Sequence, residues 1–238
     1  MQARVHRSTN VLRRVGLLIV AVCVAFDALS ADAPTVALDQ KVAAALAMPT
    51  DRAAGRRRFQ RSCADCHGPD GRGDAARRVP VLAGQRYKYL VRQLASIALG
   101  QRHGGAMHNV LSTSALRDPQ TWVNVAAYLD AAPPPKHPRT GNGEFLALGD
   151  ATFRVQCASC HYGDARGSDA GFVPSLRNQH YAYLRGQLDR LASYHPDVDE
   201  NLSRLMTSLK YDEREGVADY LSRLHGLMEV PPEAGRSE

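Results

Sequence analysis

Apolar positions fall at helical spacing along most of this chain, and the pattern occurs twice. Tyr87, Leu90, Val91, Leu94 and Ile97 share one helical stripe; Tyr181, Leu184, Leu188 and Leu191 form its echo, with Tyr87 matching Tyr181 at an offset of 94. Each stripe follows a Pro-x-Leu-x-x-Gln segment, at Pro80 to Gln85 and at Pro174 to Gln179. Thr121 to Leu129 and Arg214 to Leu224 predict a closing helix for each copy, with Tyr128 and Tyr220 at matching places. Ahead of the stripes, Gly55 and Phe59 are four apart on a predicted helix, as are Gly149 and Phe153. The phenylalanines read as core, and the glycines leave room for another helix, the closing one, to approach. Nothing alternates as a βαβ unit would. The chain therefore reads as all-α and as an internal repeat.

The flanks of the repeat read differently. Val15 to Phe26 is an uncharged apolar run of twelve residues behind Arg4, Arg7, Arg13 and Arg14, with small residues following around Ala28 to Ala31. That is a secretory signal peptide over residues 1–30, because twelve residues fall well short of the ~20 needed to span a bilayer. Residues 31–50 show a weak amphipathic pattern and read as an N-terminal extension. The repeat units are expected at 51–132 and 144–226. They are joined by a linker at 133–143 whose four prolines favour an extended, stiff connector. Residues 227–238 read as a disordered polar tail.

Four of the five cysteines sit just behind Phe59 and Phe153. Cys63-Ala64-Asp65-Cys66-His67 and Cys157-Ala158-Ser159-Cys160-His161 are two copies of one pattern. Two thiols three apart with histidine next in line place all three side chains on one side of a helical turn. The thiols can bond the two vinyl groups of a porphyrin while the imidazole reaches its iron, which is the attachment signature of a c-type haem. A redox dithiol would want a βαβ setting, and a zinc site two further ligands at matching spacing. Neither explains the histidine after both pairs. The expected cofactors are two covalent haem c groups. A glycine-rich turn follows each histidine, at Gly68 to Gly73 and Gly163 to Gly167, where close approach to the porphyrin rim is expected.

Charge separates the two halves. The precursor carries +6. Residues 51–132 hold 13 Lys/Arg against 6 Asp/Glu, whereas residues 144–226 hold 9 against 12. Basic residues without interleaved aromatics on an exported chain argue against nucleic acid as a partner. The arginines Arg56, Arg57, Arg58, Arg61, Arg72, Arg77 and Arg78 are read either as a docking face for an acidic partner or as a solvated helix face.

Taken together, the two CxxCH units, the Pro-x-Leu-x-x-Gln…Tyr-x-Tyr-Leu-x-x-Gln-Leu runs and the Ala-x-Tyr-Leu closing helices resemble the di-haem cytochrome c4 family over about residues 50–226. The resemblance implies two tandem class I cytochrome c domains related by a pseudo-twofold axis, with the Pro80 and Pro174 carbonyls accepting the Nδ1 protons of His67 and His161. It also implies a methionine as sixth ligand in the loop before each closing helix. Met107 fits, 21 residues before Tyr128, with His103 and His108 as rivals. In the second unit Asp199 and Asn201 stand at the corresponding places. The ligand there is Met206 on a helix through Leu202, Leu205 and Leu209, or His195, or the site is open. With no acid/base pair or nucleophile in evidence, the function implied is electron transfer in the periplasm. It would run between a bc-type complex or a dehydrogenase and a terminal oxidase or other acceptor, with at most peripheral membrane contact. A dedicated dehydrogenase subunit, or a haem enzyme or sensor using an open second site, are the alternatives.

Overall fold

The computed structural model describes residues 33–102, 104–193 and 199–224. The expected signal peptide, His103, His195 and the tail beyond residue 224 lie outside the described residues. Residues up to Lys41 and those from Val42 onward are two compact units. A first helix, α1 (Ala33–Leu46), crosses that border, and all that follows lies in the second unit.

From Arg52 on, five helices are laid down twice. The first set is α2 (Arg52–Ser62), α3 (Ala64–His67), α4 (Tyr87–Ala98), α5 (Ala106–Leu111) and α6 (Pro119–Asp130), with a 3-10 turn at Ser114–Leu116. The second is α7 (Leu146–Gln156), α8 (Ala158–His161), α9 (Tyr181–Ala192), α10 (Glu200–Ser208) and α11 (Tyr211–Arg223). Among the described residues the only β pairings are two isolated bridges, Asp74 with Val79 and Ser168 with Val173, again 94 apart.

Carboxylates decide where several of these helices start. Asp51 accepts Ala54 N–H at 2.9 Å, and Asp118 accepts Gln120 and Thr121 N–H at 3.2 and 3.1 Å. Such caps are worth about 1 kcal/mol each. Pro119 at the first position of α6 has no N–H to leave unpaired. The Asp118 cap and this proline start α6 two residues before the expected Thr121. In α10, Asp199 takes Leu202 N–H at 3.0 Å and sets the phase of the helix. Ser203 and Met206 then face inward while Leu202 is exposed, so the stripe expected through Leu202, Leu205 and Leu209 is turned outward at its first residue.

The core of each half is a crossing of its first and last long helices, α2 on α6 and α7 on α11. Phe59 and Phe153 are fully buried there, beside Tyr128 and Tyr220, with ring centroids 5.6 Å apart in both halves. Burying each phenylalanine contributes roughly 2–3 kcal/mol. The crossing is close because of glycine. A Cβ on Gly55 would overlap the Asn124 carbonyl, and one on Gly149 the Gly216 carbonyl. The backbones touch where any side chain would separate them.

The halves then diverge. Val91, Ala95, Trp122 and Val123 are buried between α4 and α6. The matching positions between α9 and α11 are Arg185, Asp189, Arg214 and Glu215. There Tyr181 and Arg185 both donate to Glu215, and Arg214 Nε donates to Asp189 at 3.2 Å. Trp122 Nε1 donates to Leu116 O at 2.7 Å, and Arg214 gives the same kind of bond to Leu209 O. An apolar contact in one half is thus an ion-paired one in the other.

The proline-rich connector is tied down at its second-half end. The buried carboxylate of Asp219 accepts Gly141 N–H at 2.9 Å and Gly143 N–H at 2.6 Å and pairs with Arg223 at 2.8 Å.

Gly149→Ala is expected to destabilise the protein by about 2 kcal/mol or more in chemical denaturation, because overpacking here must move backbone. Gly163→Ala, whose Cβ would meet nothing within 4 Å, should be near neutral. Equal effects would show that the helix crossing does not depend on the missing side chain.

Candidate functional site

Each CxxCH motif begins where its helix stops. Cys63 ends α2 with φ −127° and ψ −30°, and its carbonyl then accepts Cys66 N–H at 3.2 Å and His67 N–H at 2.9 Å. Cys157 does the same with φ −121° and ψ −30°, receiving Cys160 at 3.2 Å and His161 at 3.0 Å. The two thiols and the imidazole of each motif are therefore gathered on one extra turn. None of the four cysteines is in a disulfide.

The imidazoles are held from behind. His67 Nδ1 lies 3.2 Å from Pro80 O, and His161 Nδ1 lies 3.0 Å from Pro174 O. A carbonyl only accepts, so Nδ1 carries the proton and Nε2 keeps its lone pair for a metal. His67 is 4 % exposed, and burial lowers the pKa of both rings, which keeps them neutral. The extended segment bearing each carbonyl is brought in by the glycine-rich turn. A Cβ on Gly73 would overlap Val79 and Pro80, and one on Gly167 would overlap Pro174. The close approach these glycines permit is thus to the histidine's own acceptor segment.

Burial pushes the Cys63 thiol up to about 11, against the pull of Arg58, and burial does the same at Cys157. Cys63 and Cys157 are thus poorly suited to act as thiolates themselves. Among the described residues no set of three His, Cys, Asp or Glu is gathered to hold a metal ion by itself. Paired thiols on one turn, with an imidazole whose outer nitrogen is free, fit a thioether-linked porphyrin, which brings its own four nitrogens.

Met107 and Met206 are not placed alike. Met107 is half-buried in the first turn of α5, which packs on α4. Met206 is 5 % exposed near the end of α10, which packs on α9. His108 is exposed, with Nδ1 3.1 Å from Ile97 O.

Two features escaped sequence reasoning. Tyr162 follows the second histidine with φ +63° and ψ +161°, where the first half has Gly68 at +75° and +157°. A tyrosine there is strained, and its ring is covered by the Arg166 guanidinium at 4.4 Å. The other is a seam between the halves. Gln85 bonds both backbone groups of Ser175, and Gln179 bonds both of Val81. Arg86 Nε donates to Arg166 O at 2.7 Å, and His180 Nε2 lies 3.0 Å from Arg72 O. Every one of these pairs is reciprocal at offset 94, as an approximate twofold requires. The signal available in sequence was a glutamine repeated beside an apolar stripe.

The cytochrome c family model matches residues 52–132 and 146–225. Cytochrome c4 of Stutzerimonas stutzeri is 30 % identical over 182 residues, covering 68 % of this chain and 84 % of that protein. A thiosulfate dehydrogenase electron acceptor of Thiomonas intermedia is 34 % identical over 133 residues, covering 53 % and 61 %. The crystal structure of reduced recombinant cytochrome c4 from Pseudomonas stutzeri superposes with a TM-score of 0.64 at 27 % identity, covering 74 % of this chain and all of that one.

Tyr162→Gly should stabilise the haem-loaded protein by about 1 kcal/mol, read as a raised unfolding midpoint, by releasing the strained backbone. A lowered midpoint would mean that the Arg166 contact outweighs the strain.

Proposed function

This chain belongs to the cytochrome c family and, within it, to the di-haem cytochromes c4, and from that premise we propose that it is a periplasmic electron carrier. The family carries two covalently attached haem c groups, whose iron supplies one-electron chemistry at each site. Cys63 and Cys66 tether the first and Cys157 and Cys160 the second. His67 and His161 would ligate the two irons through Nε2, oriented by the Pro80 and Pro174 carbonyls. The observation that carries this is the repeated bond from histidine Nδ1 to a proline carbonyl, with two cysteines on the same helical turn as each histidine. Met107 would supply a thioether to the first iron and Met206 to the second, with His195 or an open position as the alternative there. Thioether sulfur favours ferrous iron and suits a carrier.

The export leader at residues 1–30 places the mature protein in the periplasm. No helix among the described residues is long and apolar enough to cross a membrane. Its partners are redox proteins: a bc-type complex or a dehydrogenase as donor, a terminal oxidase or other acceptor. The similarity to a thiosulfate dehydrogenase electron acceptor favours a second reading, a dedicated acceptor for one periplasmic dehydrogenase. Co-purification with such an enzyme separates the two.

The first half offers the charged face for docking. Arg56, Arg57, Arg61, Arg72 and Arg78 are exposed, and none has a salt bridge among the described residues. The second half has Asp150, Ala151 and Val155 where the first has Arg56, Arg57 and Arg61, and Val155 is 77 % exposed. An acidic partner is steered to the first half.

Mass spectrometry of the exported protein should show two added haem masses, and none would end this reading. In the ferric spectrum, Met107→Ala should remove about half of the thioether-to-iron band. Complete loss would remove Met206 as a ligand. Reduction of the protein by an acidic partner should slow as salt rises, and more weakly so in Arg57→Ala/Arg61→Val; a rate independent of salt would refute steering.

A further inference from the structure

The seam glutamines touch the histidine-holding peptides themselves. Pro80 C=O and Val81 N–H are two ends of one peptide group. Its oxygen receives His67 Nδ1–H at 3.2 Å, while its N–H donates to Gln179 Oε1 at 2.9 Å. Gln179 Nε2 returns a bond to Val81 O at 3.0 Å, and His180 N–H holds the same Oε1 at 3.0 Å. The mirror set is equally complete. Pro174 O receives His161 Nδ1–H at 3.0 Å, and the N–H of the same peptide, on Ser175, donates to Gln85 Oε1 at 2.8 Å. Gln85 Nε2 donates to Ser175 O at 2.9 Å, and Arg86 N–H holds Oε1 at 2.9 Å.

We infer that Gln179 and Gln85 are positioning residues that act crosswise, each tuning the iron-binding histidine of the other domain. The inference rests on the ligation by His67 and His161 proposed above. A peptide whose N–H donates a hydrogen bond gains negative charge on its oxygen, and bonds chained this way strengthen one another by roughly 10–30 % each. The carbonyl then pulls harder on the Nδ1 proton, the imidazole becomes a more basic ligand, and the ferric state is favoured. The glutamine of the second domain thereby lowers the potential of the first haem, and the glutamine of the first domain lowers that of the second. The two effects are unequal. Gln179 is 5 % exposed and Val81 4 %, while Gln85 and Ser175 are half-buried and better screened. The seam also has Arg86 on Arg166 O and His180 on Arg72 O, so removing one glutamine leaves the domains joined.

The test uses the haem-loaded chain and single variants. Haem resonances are assigned to a domain through the thioether links to Cys63 and Cys66 or to Cys157 and Cys160, then followed through a redox titration. Gln179→Leu should raise the potential of the first haem and leave the second in place. It should also move the His67 Nδ1–H resonance of the ferrous protein upfield, as a weakened hydrogen bond does. Gln85→Leu should do the same to the second haem and His161, with a smaller shift. Gln179→Glu keeps the acceptor oxygen and should not raise the first potential. Shifts at the variant's own domain, equal shifts at both haems, or none at either would overturn the inference. If the unmodified protein has both haems but its spectra lack histidine ligation, the ligand assignment itself has failed, and that is visible before any variant is made.

Discussion

Each half of this molecule turns on one carbonyl group. Pro80 O and Pro174 O fix the tautomer and direction of His67 and His161, and much of the surrounding chain is arranged to deliver them. Gly73 and Gly167 bring the carbonyl segment against the turn that follows each histidine, where a side chain would not fit. The bridges from Asp74 to Val79 and from Ser168 to Val173 hold that segment, and the glutamine of the other domain clamps the residue just after the proline. A rigid acceptor matters to an electron carrier because ligand orientation and basicity then change little between oxidation states.

Around this shared frame the two domains have diverged in chemistry. The first fills the space between its third and last long helices with Val91, Ala95, Trp122 and Val123, while the second uses Arg185, Asp189, Arg214 and Glu215. Desolvating such ions offsets much of their attraction, most of all for the more buried Arg185–Glu215 pair. The surfaces diverge in the opposite direction. Arginines that stand free on α2 are replaced on α7 by a paired aspartate, an alanine and a valine. One fold, used twice, thus presents a charged approach at one end and a largely neutral one at the other.

The sequence by itself determined the long helices, the repeat and the two motif turns, though not the short α5 helix, where a loop is expected around Met107. These depend on neighbours three or four residues apart, and such contacts are written directly into residue spacing. It also singled out Gly55 and Gly149, since a repeated glycine on an apolar helix implies close approach. Ligand softness together with loop position named Met206, although Asp199 and Asn201 stand at the places matching Met107, and the helix that carries it starts at the Asp199 cap. Tertiary structure decided the rest. That Gln179 serves the acceptor peptide of His67, that Tyr162 stands in strained backbone where Gly68 has its counterpart, and that Asp219 ties down the connector all involve groups whose partners or geometry are set elsewhere in the fold. Val81 and Gln179 are 98 residues apart, and only closing the two halves on each other brings an amide oxygen to a particular N–H. Spacing along the chain carries no trace of that distance.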